Sequence, residues 1–372
     1  MAALGSHTPR TWLGRWFSRL SWVAAIALLL IALSWPVSHW AWGLDLIANF
    51  NAQWLAVAVP LALVWLATYR MKQALLAIVA CVLLIVSLVP GRAAIWPRPA
   101  ALPRDAGAAQ ADASRVRLFH INASTDSTGD EIERCMDASG ADVLSVLCPS
   151  VEYQREVIYG PRLADRFAGK LTRHWRPEPD GRATDITAAF LVSRWPLTRI
   201  DTAHLGASGD YLLAAIVERP AGAFAVIAVH PRSPRSPRRW AVGNAVTEAI
   251  ATLPHQIREQ GRAVVVLTDL NATPSGWRSR RLEDAGLRRA KPLLVATGTY
   301  PIPLGPGDDT QSGPRRPIAW PLGIAIDDAL LSPGIELIGW SAMDRLESEH
   351  CPIVIDVRIP EQSAPSHSPP GR

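Results

Sequence analysis

Apolar positions along the chain follow two regimes that change near residue 90. Before it, three long runs carry almost no charge: Leu20 to Trp35, Trp54 to Tyr69 and Ala74 to Pro90. Each nears the length that crosses a bilayer once flanking residues are counted, so the pattern predicts three transmembrane helices. After residue 115 the runs are short and bounded by polar or turn residues, which predicts strands. These are Val116 to Ile121, Val143 to Leu147, Ala188 to Val192, Tyr211 to Val217, Phe224 to Val229, Ala263 to Leu267, Ile324 to Leu331 and Ile353 to Val357. Helices are expected over Asp130 to Ala138, a long segment ending near Gln260, and Arg278 to Ala285. Many strands with a few interspersed helices indicate a mixed α/β domain.

The same pattern divides the chain into a membrane region (1–91), a Pro/Ala-rich linker (92–114), a folded domain (115–359) and a disordered tail (360–372). A signal peptide would share the basic, apolar opening, but two further apolar runs follow it. Arg70 and Lys72 fill the second connection, while Asp45 is the one charged residue in the first. The positive-inside rule then puts the N-terminus in the cytoplasm of a multi-pass membrane protein. Three crossings place the domain outside the cytoplasm, in the periplasm of a bacterium. Arg92, Arg98 and Arg104 run against that preference.

Composition adds little. The 372 residues carry a formal charge of +5, almost wholly from Arg. Arg suits phosphate contacts, though a general preference for Arg over Lys produces the same count. Four scattered cysteines make no disulfide framework, and no paired CxxC, glycine-rich phosphate loop, internal repeat or base-reading helix is present.

Candidate chemistry lies where strands end. Val264 to Pro274, VVVLTDLNATP, leaves an apolar run abruptly at Asp269 and Asn271. Residues two apart on an extended chain share a side, so both reach one site; the same pattern also fits a strand entering an Asx turn. Asn122 and His230 follow other strands, Asp327 lies within IAIDDALL, and Glu349 and His350 precede CPIVIDV. Singly these are ordinary turn or core residues. Several acids, amides and imidazoles at successive strand ends gather at one sheet edge, where sites form.

The order and spacing of these segments resemble the endonuclease/exonuclease/phosphatase superfamily, which includes DNase I-like nucleases. TDLNATP is similar to the family's GDFNATP, IDDALLS to IDHVLVS, and SEHCP to SDHRP, with INA, LVSRWP, HP and GTYP in support. The resemblance spans roughly Arg115 to Ile359. It implies a DNase I-like four-layer α/β sandwich and a Mg²⁺ or Mn²⁺ site acting on a phosphate ester in nucleic acid, phospholipid or a small molecule. It also implies roles. Asp269 would orient or deprotonate water, Asn271 would hold phosphate or that water, and Asp327 would fix the tautomer of His350. His230 would stand near the leaving or attacking oxygen, and Asn122 and Glu349 would seat the metal.

Three departures qualify this expectation. Cys148 ends DVLSVLC, where relatives carry a metal-binding Glu; Glu349 replaces an Asp; Asp328 replaces a His. A thiol substitutes poorly for the oxygen ligands Mg²⁺ prefers. One expectation is a metal-dependent phosphoesterase with Glu349 or Glu152 compensating; another is a pseudoenzyme that binds a phosphate ligand or a protein. A third has Cys148 joining His230 or His350 on Zn²⁺. Arg232 and Arg235, in PRSPRSPRRW after His230, are candidate phosphate contacts or parts of a solvated loop.

Overall fold

The structure, a computed structural model, describes residues 12–100, 113–123, 129–148, 167–174, 188–301, 318–319, 321–344 and 348–360. Arg104, Glu152 and the expected tail from Glu361 lie outside the described residues. The chain forms two compact units, Met1–Leu88 and Val89–Arg372.

The first unit is helical: α1 (Trp12–Ser34), α2 (Trp42–Ala48), α3 (Asn51–Ala67) and α4 (Met71–Leu88). Two helices, Gly14–Ser34 within α1 and Met71–Leu88, are long and apolar enough to cross a membrane. The expected middle span differs. α3 has only 17 residues with Pro60 inside it, and meets α2 at a 60° bend, so a third crossing requires the bent pair to act as one span. Small side chains dominate the interior of this unit, with Ala25, Ala32, Ala58, Ala62, Ala74, Ala77 and Ala80 buried beside Leu28, Trp65 and Leu84. Leu30, Leu63, Leu75 and Val82 face outward. Large apolar groups outside and small ones between helices suit lipid rather than water. Asn51 Nδ2 donates to Ser87 Oγ at 2.9 Å, satisfying two polar groups between helices.

The second unit contains β1 (Arg115–Asn122), α5 (Gly129–Ser139), β2 (Val143–Leu147), β3 (Gly169–His174), β4 (Ala188–Ser193), β5 (Leu197–Arg199), β6 (Leu212–Val217) and β7 (Phe224–Val229). There follow α6 (Pro237–Glu259), β8 (Val264–Asp269), α7 (Trp277–Asp284), β9 (Arg288–Arg289), β10 (Thr297–Gly298), β11 (Tyr300–Pro301), β12 (Ile318–Ala319), β13 (Gly323–Ile324), β14 (Asp327–Leu331), β15 (Glu336–Ala342) and β16 (Ile353–Arg358). One six-stranded sheet runs β15-β16-β1-β2-β4-β3 and the other β5-β6-β7-β8-β14-β9. Each holds one parallel pair, β1 with β2 across α5 and β7 with β8 across α6. A parallel pair needs such a crossover, and its two strands end at the same edge.

Alternation along the strands sorts the core. Val116, Leu118, Val226, Ala228, Val265 and Leu267 belong to the cluster shared by the two sheets. Their neighbours face outward: Phe119, Ile121, Leu144 and Val146 pack with Ile132 and Met136 of α5, while Val264 and Val266 pack with Ile250 and Leu253 of α6. Helix, sheet, sheet and helix thus stack in a sandwich. β15 and β3 escape the sequence pattern because both are edge-side strands. β15 carries Gly339 at a register shift opposite β16, and β3 pairs only with β4.

The first part of the expected linker runs along the second unit. Ala93 N donates to Arg289 O at 2.8 Å, Leu293 N to Ala94 O at 3.1 Å and Trp340 N to Arg98 O at 2.6 Å. Gly339 is needed for this crossing, since a Cβ there would stand 2.9 Å from Ala100 Cα.

Candidate functional site

Strand parity explains where the polar side chains meet. Asp269 shares its side of β8 with Val265 and Leu267, and Asn122 shares its side of β1 with Leu118, so both point between the sheets. Antiparallel register sets Asp327 of β14 directly opposite Asp269. Both are buried. Two carboxylates so placed repel, and charged or donor groups must separate them.

Two imidazoles and two amides do so. His350 Nδ1 lies 2.9 Å from Asp327 Oδ2 and 3.1 Å from its Oδ1. The other ring nitrogen, Nε2, is 3.9 Å from Asp269 Oδ2. His230 Nε2 is 3.2 Å from that same oxygen. Asn122 Nδ2 donates to it at 2.9 Å and lies 3.4 Å from His350 Nε2. Asn271 donates its backbone N–H to Asp269 Oδ1 at 2.9 Å and its amide to Pro231 O at 3.1 Å. Its φ of 50° is left-handed, a region Asn tolerates better than most residues.

The two aspartates are driven apart in acidity. Burial alone would raise Asp269, but His230 and His350 outweigh it and hold this carboxyl below the usual range. Burial also raises Asp327, and with Asp269 opposing it the carboxyl stays raised despite His350. Burial would lower both imidazoles; Asp327 and Asp269 raise His350, and Cys148 and Asp269 raise His230 well above its ordinary value. Paired carboxyls with divergent acidity are what acid and base roles require.

Several contributors were given no role from the sequence, although Thr299 and Tyr300 lie in the GTYP segment and Ser348 in SEHCP. Thr299 Oγ1 accepts hydrogen bonds from the N–H groups of Ile326 and Asp327 at 3.1 and 3.0 Å, while its carbonyl accepts from Cys351 N at 2.8 Å. One threonine thereby ties the Asp327 strand to the segment after His350. Gly298 permits it, because a Cβ there would stand 2.6 Å from the Gly323 backbone. The Tyr300 ring meets the His350 ring at 4.8 Å between centres, tilted by 54°, and Ser348 Oγ donates to Asn122 O at 2.7 Å while accepting from His350 N at 3.0 Å. His120 points inward beneath the site, 3.1 Å from Ser145 Oγ through Nδ1, with no hydrogen-bond partner for Nε2 among the described residues. Burial depresses it to about 3, so the ring is neutral.

The remaining candidates are placed differently. Glu349 accepts a hydrogen bond from Tyr300 O–H at 2.8 Å, and burial together with this carboxylate pushes the phenol up to about 12. Arg232 is buried with its guanidinium 5.7 Å from the centre of the Tyr211 ring. Arg235 is exposed, and its charge reaches Tyr300. Asp328 faces away from the pair, accepting from Arg289 Nε at 3.0 Å, Lys291 N at 3.0 Å and Trp340 Nε1 at 3.2 Å.

Asp269, Asp327 and His350 form a buried cluster whose ligand-capable atoms lie within 4.8 Å of one another. The arrangement does not fit Mg²⁺, which takes six oxygens in octahedral geometry. Both Asp327 oxygens are engaged with His350 Nδ1, the Glu349 carboxylate is engaged with Tyr300, and the sulfur of Cys148 stands where a carboxylate is expected.

That sulfur lies 3.3 Å from His230 Nδ1. Leu147 already faces the space between the sheets, so regular alternation would turn Cys148 away from it. A left-handed φ of 51° returns Cys148 to the same side, at a cost of about 1 to 2 kcal/mol for a residue with a Cβ.

Comparison with known proteins gives three results. The Endonuclease/Exonuclease/phosphatase family matches residues 159–350. No curated protein matches the chain. Among solved structures, an endonuclease/exonuclease/phosphatase from Beutenbergia cavernae is 16% identical, with 66% of this chain and 72% of that one covered and a TM-score of 0.45. The human Nocturnin catalytic domain with bound sulfate is also 16% identical, covering 66% and 94%, with a TM-score of 0.47. The 3' phosphatase NExo from Neisseria bound to product DNA hairpin is 16% identical, covering 64% and 98%, with a TM-score of 0.46.

Proposed function

This chain belongs to the endonuclease/exonuclease/phosphatase family, and on that premise we propose that it is a membrane-anchored hydrolase of phosphoric esters, either diesters or monoesters. The observation that carries the proposal is the surrounding of Asp269: Asn122, His230 and Asn271 within hydrogen-bonding reach, His350 just beyond, and Asp327 opposite. In this reading the His350 imidazole, held by Asp327, presents Nε2 to a phosphoryl oxygen, and Asn122 and Asn271 hold the phosphoryl group. His230, oriented by Asp269, moves a proton at Nδ1. None of these steps passes through a metal; Asn122 and Glu349 are the residues the family resemblance assigns to Mg²⁺ or Mn²⁺. Anchoring is supported by the inverted packing of the helical unit, and it brings phospholipid headgroups within reach alongside nucleic acid and small phosphate esters.

The test is hydrolysis of bis(p-nitrophenyl) phosphate and p-nitrophenyl phosphate by the full chain in detergent, alone and with Mg²⁺, Mn²⁺ or Zn²⁺. Activity that Asp269→Ala removes supports the proposal. The departure at Cys148 favours a second reading, a pseudoenzyme that only binds a phosphate ligand or a protein. A silent parent that becomes active with Mg²⁺ on Cys148→Glu would support it.

A further inference from the structure

Cys148, His230 and Asp269 stand in line. Sγ is 3.3 Å from Nδ1 of the imidazole, and Nε2 of the same ring is 3.2 Å from Asp269 Oδ2. A nucleophile within reach of a base that a third group orients is the arrangement of covalent catalysis. Three features give it direction. Asp269 is buried, so its charge acts on His230 with little competition from water. The left-handed backbone at Cys148 turns the thiol toward the site rather than away from it. Asp269 also accepts the Asn122 side-chain amide on the same Oδ2 and the Asn271 backbone N–H on Oδ1, which fixes the carboxylate against the ring.

We propose that Cys148 is the nucleophile of this site, and that the reaction passes through an S-phosphorylcysteine. The proposal rests on the phosphoric-ester reading above. Cys148 gives its proton to His230 Nδ1, and Sγ attacks phosphorus. The S–P bond forms as the P–O bond to the leaving alcohol breaks in line with it; the electron pair leaves on that oxygen, which takes a proton from solvent, since Nδ1 beside Sγ lies on the opposite side of phosphorus. Water then attacks the same phosphorus and releases a proton to solvent, and the P–S bond breaks to restore the thiolate, which recovers its own proton from Nδ1. The sum is ester plus water giving alcohol plus the hydrolysed phosphate, with no change of oxidation state. A thiolate is a far better nucleophile than neutral water, and it stands where a metal carboxylate would otherwise activate that water. The departure from relatives at position 148 then changes the mechanism instead of abolishing it.

The experiment uses the full chain in detergent and three readouts. Acid-quenched protein incubated with p-nitrophenyl phosphate is analysed by peptide mass spectrometry for phosphoryl on Cys148. The stereochemical course is followed on a chiral phosphorothioate diester. Turnover is compared for Cys148→Ser, Cys148→Ala and His230→Asn, each checked for an unchanged unfolding midpoint. The proposal expects labelled Cys148, retention of configuration from two displacements, and loss of at least about a hundredfold in each variant. Inversion of configuration, or Cys148→Ala turning over within about tenfold of the parent, overturns it while leaving the hydrolase reading standing. A parent silent toward both esters fails the hydrolase reading instead. Iodoacetamide labelling then decides whether the thiol is activated. Cys148 reacting faster than Cys135 and Cys351 only while His230 is present keeps the activated nucleophile, and equal rates remove it.

Discussion

The opposition of Asp269 and Asp327 is the residue-scale fact from which the site follows. His350 can serve both only while Asp327 holds Nδ1 and leaves Nε2 free. Asp327→Asn keeps the shape and loses the charge that fixes this tautomer, so kcat should fall by about 10² to 10⁴ with a smaller change in KM; an unchanged kcat contradicts the assignment. A second prediction concerns His120. Its folded value of about 3 lies below the unfolded one of about 6.5. Between these values the unfolded chain binds the proton and the folded chain does not, so this group's contribution to stability is lost as pH falls through that window. Thermal midpoints of His120→Leu should therefore decline less than those of the parent between pH 6.5 and pH 4; parallel curves would show that the ring is not buried neutral. What the sequence disclosed at this scale was residue type and spacing. Asp269 and Asn271 stand out because an apolar strand ends in them, Asp327 because it interrupts an apolar run, and His350 because it precedes one. His120 was hidden because a histidine inside an apolar run looks the same whether it faces the core or a site. The GTYP segment stood out, but the role of Thr299 within it was hidden because it acts through its backbone and hydroxyl on strands distant in sequence.

Elements carry the site to one place. The two crossovers, β1 to β2 over α5 and β7 to β8 over α6, end four strands on the same edges, and β14 adds the fifth between β8 and β9. Apolar alternation made most of these strands legible with boundaries off by a residue or two; Val143–Leu147 and Phe224–Val229 coincide with expectation. β15 was not legible, because Gly339 and a register shift interrupt its pattern. Nor was the role of residues 91–100, whose Pro/Ala composition reads as a tether but whose backbone bonds to Arg289, Leu293, Leu294 and Trp340. Hydrogen bonds of this kind contribute about 0.5 to 1.5 kcal/mol each. A domain beginning at Val89 should therefore melt several degrees above one beginning at Ala113. Gly339→Ala, which puts a Cβ against Ala100, should bring the longer form down toward the shorter. Equal melting of the two forms would show that the segment contributes nothing.

At the scale of the whole molecule, a helical unit with a largely alanine interior and many exposed large apolar side chains is joined to a sandwich whose strand ends assemble an acid, amide and imidazole cluster. The number of crossings decides where that cluster works. Two crossings leave Trp12 and the sandwich on one side of the membrane, and three, with α2 and α3 acting as one bent span, separate them. Positive-inside bias around Arg70 and Lys72 predicts separation, with the sandwich outside the cytoplasm. Reporters fused before Trp12 and after Arg358 should then be active on opposite sides, and activity on the same side would reduce the count to two. Hydrolysis itself is the more direct question. The full chain in detergent should hydrolyse bis(p-nitrophenyl) phosphate or p-nitrophenyl phosphate, and Asp269→Ala, folded to the same midpoint, should lose about a thousandfold in kcat/KM. A parent that hydrolyses neither ester under any metal condition, or a variant as active as the parent, would contradict the account.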